Sequence, residues 1–159
     1  MQCVFVRHGE ASWDAPTDAA RPLTAHGQHQ VQLAARWLSS QWEPELLIHS
    51  PLQRACETAD AFLAQYSQMN TLESDSLLPD VSPQTLEQML QHAVPERMLL
   101  VGHNPLFSRL LTWFCGADIE EVMAPASMAM IDLPVVAQAA GRLCWLRHAP
   151  SYEQIVRRQ

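Results

Sequence analysis

The chain has 159 residues, 48% of them hydrophobic, enough to bury one full core, and its length favours a single domain over residues 1–159. A formal charge of -7 and a pI near 5.4 exclude the basic surface field that nucleic-acid binding depends on, and no apolar run approaches the ~18 residues of a membrane span. Four widely spaced cysteines, Cys3, Cys56, Cys115 and Cys144, form no Cys-x-x-Cys pair and give no zinc or redox pattern.

The first apolar run, Gln2-Cys3-Val4-Phe5-Val6, reads as a strand that ends in Arg7-His8-Gly9. It sets a cation and a titratable imidazole where open α/β sheets bind ligands. A signal peptide has no room before that pair, so the chain is expected in the cytoplasm. A polar loop carrying Trp13, Pro16 and Pro22 leads to Thr24, the expected N-cap of a helix from about Ala25 to Gln41, with Val31, Ala34, Ala35 and Leu38 as its buried stripe. A short strand, Leu46-Leu47-Ile48, follows. Ser50-Pro51 opens a second helix that runs to about Gln65, with Arg54, Thr58 and Phe62 at helical intervals.

A weak strand near Leu72 to Leu77 and a short helix from Thr85 to His92 come next. Met98-Leu99-Leu100-Val101 has the character of a buried parallel strand and ends in Gly102-His103-Asn104-Pro105. Helix then extends from Leu106 to Cys115, stopped by Gly116, before two strands, Ser127 to Leu133 and Arg142 to Arg147. Residues 150–159 are expected to form a loose tail. Short apolar strands alternating with helices predict an α/β fold: a three-layer α/β/α sandwich around a mostly parallel sheet.

Right-handed crossovers would bring the carboxyl ends of three strands to one edge, gathering Arg7, His8, Arg54 and His103 in one crevice. Phosphoryl transfer needs a nucleophile in line with the leaving group and fixed positive charge around the equatorial oxygens. A neutral imidazole at pH 7 can be that nucleophile, and arginine presents a planar fork matched to phosphate. His8 is the expected nucleophile, its second ring nitrogen held by a backbone acceptor. Arg7 and Arg54 grip the phosphoryl oxygens, and His103, protonated beside a dianion, adds a donor. His26 and His29 lie three apart on a helix without a third ligand, so no metal site is expected there.

Arg7-His8-Gly9-Glu10-Ala11, Ser50-Pro51-Leu52-Gln53-Arg54-Ala55 with Thr58-Ala59, and Val101-Gly102-His103-Asn104-Pro105 resemble, in order, the three signatures of the histidine phosphatase superfamily. Asp18 and Arg21-Pro22-Leu23-Thr24, with the Gly-His-Asn-Pro form of the last motif, make the SixA-type phosphohistidine phosphatase branch the most similar one. The resemblance implies a phosphoglycerate mutase-like fold and a cytoplasmic, metal-independent phosphatase without cofactor. In it His8 is transiently phosphorylated, and Arg7, Arg21, Arg54 and His103 surround the phosphate. Its expected partner is a phosphohistidine-bearing protein, the alternatives being small phosphomonoesters such as sugar or nucleotide phosphates, or a binding module without turnover.

Mutase-like relatives carry a long insertion between the second arginine and the second histidine; here Ala55 to Gly102 is too short for a large lid. The general acid is left between Asp18 and Asp80. An acid matters less for phosphohistidine, whose leaving imidazole has a pKa near ~6.5, than for an alkoxide.

Overall fold

The structure, a computed structural model, describes residues 1–116, 119 and 122–153. Six strands, β1 (Gln2–Arg7), β2 (Leu46–His49), β3 (Asn70–Glu73), β4 (Arg97–Gly102), β5 (Met128–Asp132) and β6 (Arg142–Arg147), form one sheet in the order β3-β2-β4-β1-β5-β6. β1 to β4 run parallel, β5 pairs antiparallel with β1, and β6 pairs antiparallel with β5. Helices α1 (Ala25–Ser39), α2 (Gln53–Leu63), α3 (Pro83–Gln91) and α4 (Leu106–Cys115) complete the three layers.

The two-residue period of the strands sorts the core into two halves. Cys3, Phe5, Ile48, Met98, Leu100, Ala129 and Ile131 pack with Leu86 and Leu90 of α3 and Leu106, Phe107, Leu110 and Phe114 of α4. Their alternates Val4, Val6, Leu47, Leu99, Val101, Met128 and Met130 pack with Ala34, Ala35 and Leu38 of α1 and Ala55, Ala59 and Phe62 of α2. Burial on both faces is why β1 and β4 read as unbroken apolar runs. Each fully buried Leu, Phe or Met contributes about 1.5–3 kcal/mol, so the sheet edge that carries the polar residues is set on a rigid base.

Two glycines bring the loop after β1 against α1. A Cβ on Gly27 would lie 2.0 Å from the Glu10 carbonyl oxygen, and one on Gly9 would lie 2.7 Å from the Gly27 carbonyl oxygen. Thr24 caps α1 by accepting from Gly27 N, and its hydroxyl donates to Glu10 Oε1 at 2.8 Å.

The predicted elements all occur, with shifted ends. α2 begins at Gln53, because Ser50 Oγ turns back to accept from Leu52 N and leaves Pro51 in the bend rather than in the first helical turn. α3 begins two residues earlier than expected, with Ser82 accepting from Thr85 N and Pro83 in the first turn, where its missing N–H costs nothing. The weak strand expected at Leu72 to Leu77 is β3 at Asn70–Glu73 followed by a 3-10 turn at Asp75–Leu77, since the Ser74 hydroxyl accepts from Ser76 N and ends the extended run. Between α2 and β4 the chain forms only β3, that turn and α3, so no large lid is built. Within the segment expected to be a loose tail, Tyr152 is buried, its hydroxyl 3.1 Å from both the Gln30 and Ala126 carbonyl oxygens; residues 154–159 lie outside the described residues. Among the described residues no helix is long and apolar enough to cross a membrane.

Candidate active site

Three neighbouring strands deliver the polar residues. His8 follows β1, Ser50 follows β2 and His103 follows β4, and the ladder runs one step beyond the strands: His8 N donates to the Gly102 carbonyl and Ser50 N to the Val101 carbonyl, each at 3.0 Å. The rings of His8 and His103 come to 5.0 Å between centroids, tilted by 56°. α2, starting immediately after β2, places Arg54 over the same edge.

His8 is 9% exposed and its Nδ1 lies 2.7 Å from the Gly9 carbonyl oxygen. A carbonyl only accepts, so Nδ1 carries the proton and Nε2 keeps its lone pair. Burial pushes the ring's pKa down, the bond to Gly9 pulls it up, and the charges of Arg54, Arg7 and Arg21 push it down again, to about 4. His8 is therefore neutral at pH 7. His103 is buried and its Nε2 lies 2.7 Å from Ser50 Oγ, while its buried Nδ1 has no hydrogen-bond partner. Burial, then His8 and Arg54, hold its pKa well below the ordinary value. The expected protonated donor is thus a neutral ring in the free site. With the Ser50 hydroxyl donating to Nε2, such a ring still offers one N–H, at Nδ1.

Arg54 is 5% exposed; one terminal nitrogen donates to the Asp18 carbonyl at 2.8 Å and the other to its carboxylate at 3.2 Å. Arg21 donates to the same carboxylate at 3.2 Å and, through Nε, to the Ser12 carbonyl at 2.8 Å, while its guanidinium lies 3.5 Å above the ring of Trp13, which is 83% exposed. Arg7 donates to the Met123 carbonyl at 2.7 Å and its buried Nε has no partner. Three guanidiniums against one carboxylate make this crevice locally positive in a chain of charge -7.

The two candidate acids fall in different places. Burial raises the Asp18 carboxyl, but the hydrogen bond from Arg21 and the charge and hydrogen bond of Arg54 outweigh it and leave its pKa below the usual carboxylate value. Asp18 is thus ionised at neutral pH and fastens Arg21 and Arg54. Asp80 is exposed, and among the described residues no hydrogen bond or ion pair joins it to the other candidates; Arg109 instead reaches the carbonyls on either side of it, at Pro79 and Val81.

Three supports went unread in the sequence. The Ser50 hydroxyl orients His103. Thr58 Oγ1 donates to the Arg54 carbonyl at 2.7 Å and accepts from Gly9 N at 3.3 Å, tying α2 to the loop behind His8. Asn104 Nδ2 and Arg7 share the Met123 carbonyl, so a backbone oxygen far along the chain aligns two motifs. All three lie within the quoted signatures, but only Thr58 also carries a local signal, as a polar residue on the buried face of α2.

Comparison with known proteins gives this edge its context. The profile of the histidine phosphatase superfamily (branch 1) matches residues 3–98. The phosphohistidine phosphatase SixA of Escherichia coli K12 is 29% identical over 141 residues, covering 84% of this chain and 86% of its own. A structure of the protein histidine phosphatase SixA complexed with tungstate superposes with a TM-score of 0.83 at 26% identity, covering 92% of this chain and 96% of that one. The α-ribazole phosphatase of Shigella flexneri shares the fold at 20% identity and a TM-score of 0.70, over 90% of this chain and 94% of that one. With a matched profile spanning more than half its length and the paired histidines at the carboxyl ends of β1 and β4, the chain belongs to the histidine phosphatase superfamily, branch 1.

Proposed function

We propose that this phosphatase removes the phosphoryl group from phosphohistidine on a protein, through a covalent intermediate on His8. The observation that carries the proposal is the state of His8: neutral, with its proton fixed on Nδ1 by the Gly9 carbonyl and a free lone pair on Nε2, within the field of Arg7, Arg21 and Arg54.

In the first step His8 Nε2 attacks phosphorus and the bond from phosphorus to the substrate nitrogen breaks. One N–P bond replaces another, so the exchange is close to balanced in energy. The substrate ring departs as neutral imidazole when its second nitrogen carries a proton, which an ordinary pKa of ~6.5 allows near neutral pH. No fixed acid is needed, which suits a crevice in which the carboxylate paired with the arginines, Asp18, is ionised. Arg7, Arg21 and Arg54 hold the equatorial oxygens, each contributing up to ~4 kcal/mol of Coulomb energy at 4 Å in a partly shielded site, and His103 donates from Nδ1. In the second step water attacks phosphorus, the bond to Nε2 breaks and returns its electron pair to His8, and inorganic phosphate leaves as the dihydrogen anion carrying both of the water's protons, one of which it then sheds to solvent.

The arginines supply the charge that phosphoryl transfer requires, so the proposed turnover involves no metal ion. The lidless edge admits a protein-borne substrate, and the thiols of Cys3, Cys56 and Cys144 suit a cytoplasmic setting. Turnover of a phosphohistidine protein, an aryl phosphate and an alkyl phosphate, compared with and without chelator, tests the reading. Phosphohistidine first, aryl second, alkyl far behind, and indifference to chelator are expected. Preference for alkyl phosphates with a sharp dependence on Asp80 or Asp18 would make the chain a small-phosphomonoester phosphatase instead.

A further inference from the structure

A second group of chemistry-bearing side chains stands beside the crevice and takes no part in the mechanism above. His49 and Glu73 are register partners at the carboxyl ends of β2 and β3, and Cys56 lies in the first turn of α2. One nitrogen, one sulfur and one carboxylate oxygen of the three lie within 4.8 Å of one another. His49 Nδ1 and Cys56 Sγ are 3.8 Å apart. In a tetrahedral zinc site, with bonds of ~2.3 Å to sulfur and ~2.0–2.1 Å to nitrogen, the corresponding edge is about 3.6 Å, so this pair is already close to ligating distance. The remaining contacts of the thiol, to the Ser50 and Pro51 carbonyls, are both long at 3.6 Å. Glu73 is exposed and the other two residues are half-buried, which leaves an entry path from solvent.

We propose that His49, Cys56 and Glu73 bind a zinc-type divalent cation, and that its binding slows turnover through Ser50. A thiolate, an imidazole and a carboxylate form a donor set that zinc accepts with water in the fourth position. The thiol proton passes to solvent as the sulfur–metal bond forms, and the proton that His49 Nδ1 donates to the Ser50 carbonyl moves through solvent to Nε2, freeing the Nδ1 lone pair for the metal. His49 Nδ1 and Cys56 Sγ now rest on the Ser50 carbonyl, at 3.0 and 3.6 Å; drawn onto a cation, they release it. Ser50 is also the residue whose hydroxyl orients His103. The cation acts on a positioning residue and stays outside the chemical step. Only the effect on turnover rests on the function proposed above; binding does not.

Cobalt(II) titration of the full chain tests binding by absorption. One equivalent should produce a sulfur-to-cobalt charge-transfer band in the wild type, in Cys115→Ser and in Cys144→Ser, and no band in Cys56→Ser. His49→Gln and Glu73→Gln should each weaken binding at least tenfold, and Glu73, being exposed, can be changed without disturbing the fold. Zinc should slow aryl phosphate turnover in the wild type, reversibly on chelation, and leave Glu73→Gln unaffected. A band that survives Cys56→Ser, or an affinity unmoved by both glutamine variants, overturns the site. Cobalt bound at the three residues with turnover unchanged overturns the link through Ser50. A protein that binds cobalt as described but turns over no phosphoryl donor leaves the site standing and removes the proposed function.

Discussion

Replacing Ser50 by alanine isolates the orientation of His103 from the bulk of the fold. Ser50 is fully buried and its hydroxyl faces two partners: His103 Nε2 at 2.7 Å and the Leu52 amide at 3.3 Å. Without it, one buried hydrogen bond of about 0.5–1.5 kcal/mol disappears and Nε2 is left unpaired in a dry position at a further cost of about 1–3 kcal/mol. If roughly 2–3 kcal/mol of that sum falls on the transition state, kcat drops roughly 30- to 150-fold, at about 1.4 kcal/mol per tenfold. KM should change little, because the arginines that hold the phosphoryl group are untouched. Ser50→Cys, which keeps a weak S–H donor, should fall between the two. Steady-state kinetics on an aryl phosphate, with a thermal melt to show that both variants are folded, make the measurement. A folded Ser50→Ala protein with wild-type kcat would show that His103 needs no partner, and the orientation described here would be wrong.

Arg54→Lys keeps the charge but cannot span the carbonyl and carboxylate of Asp18 as the two terminal nitrogens do, so kcat/KM should fall at least ~100-fold, about 3 kcal/mol; a loss under fivefold would reduce Arg54 to a mere positive charge. Because the nucleophile must be neutral and the His8 pKa lies at about 4, kcat/KM should show no loss attributable to His8 between pH 7 and 5 and fall tenfold per unit below about 4. The same depressed pKa makes stability depend on pH. The unfolded chain takes up a proton near ~6.5 that the folded chain refuses until about 4, so the His8 contribution is fully present above 6.5 and is lost as pH falls between the two values. That difference of roughly 2.5 units amounts to about 3 kcal/mol by pH 4, and a neutral replacement such as His8→Gln should flatten the corresponding part of a Tm-against-pH curve. Tyr152→Phe should cost about 1–2 kcal/mol of stability, read by denaturant unfolding, with kcat unchanged, since among the described residues the hydroxyl reaches only the Gln30 and Ala126 carbonyls.

The parts of the molecule that the sequence made readable share a physical origin. β1 and β4 stand out because burial on both faces demands unbroken apolar runs, and α4 because Gly116 ends a strongly apolar helix. His8, Arg54 and His103 could be placed from the strands they follow. The position of β3 is only weakly marked in the sequence, because all four of its residues are exposed at the sheet edge, where no apolar pattern sets their bounds. Ser50 before Pro51 looks like a helix opener, and nothing local says that its hydroxyl points across the sheet to a histidine 53 positions away. The clamp of Asp18 on Arg21 and Arg54 depends on a tertiary approach that no local pattern announces. The Met123 carbonyl, which joins Arg7 to Asn104, was invisible because every residue has a carbonyl.

Rapid-quench labelling is the most direct measurement of the chemistry assigned to His8. Mixing the enzyme with a phosphorylated donor and stopping within a turnover should trap one acid-labile, base-stable phosphate on the chain, mapped to His8 and absent from a folded His8→Ala variant. Steady turnover with no trapped label at any quench time, or a label that persists in His8→Ala, would contradict the covalent route.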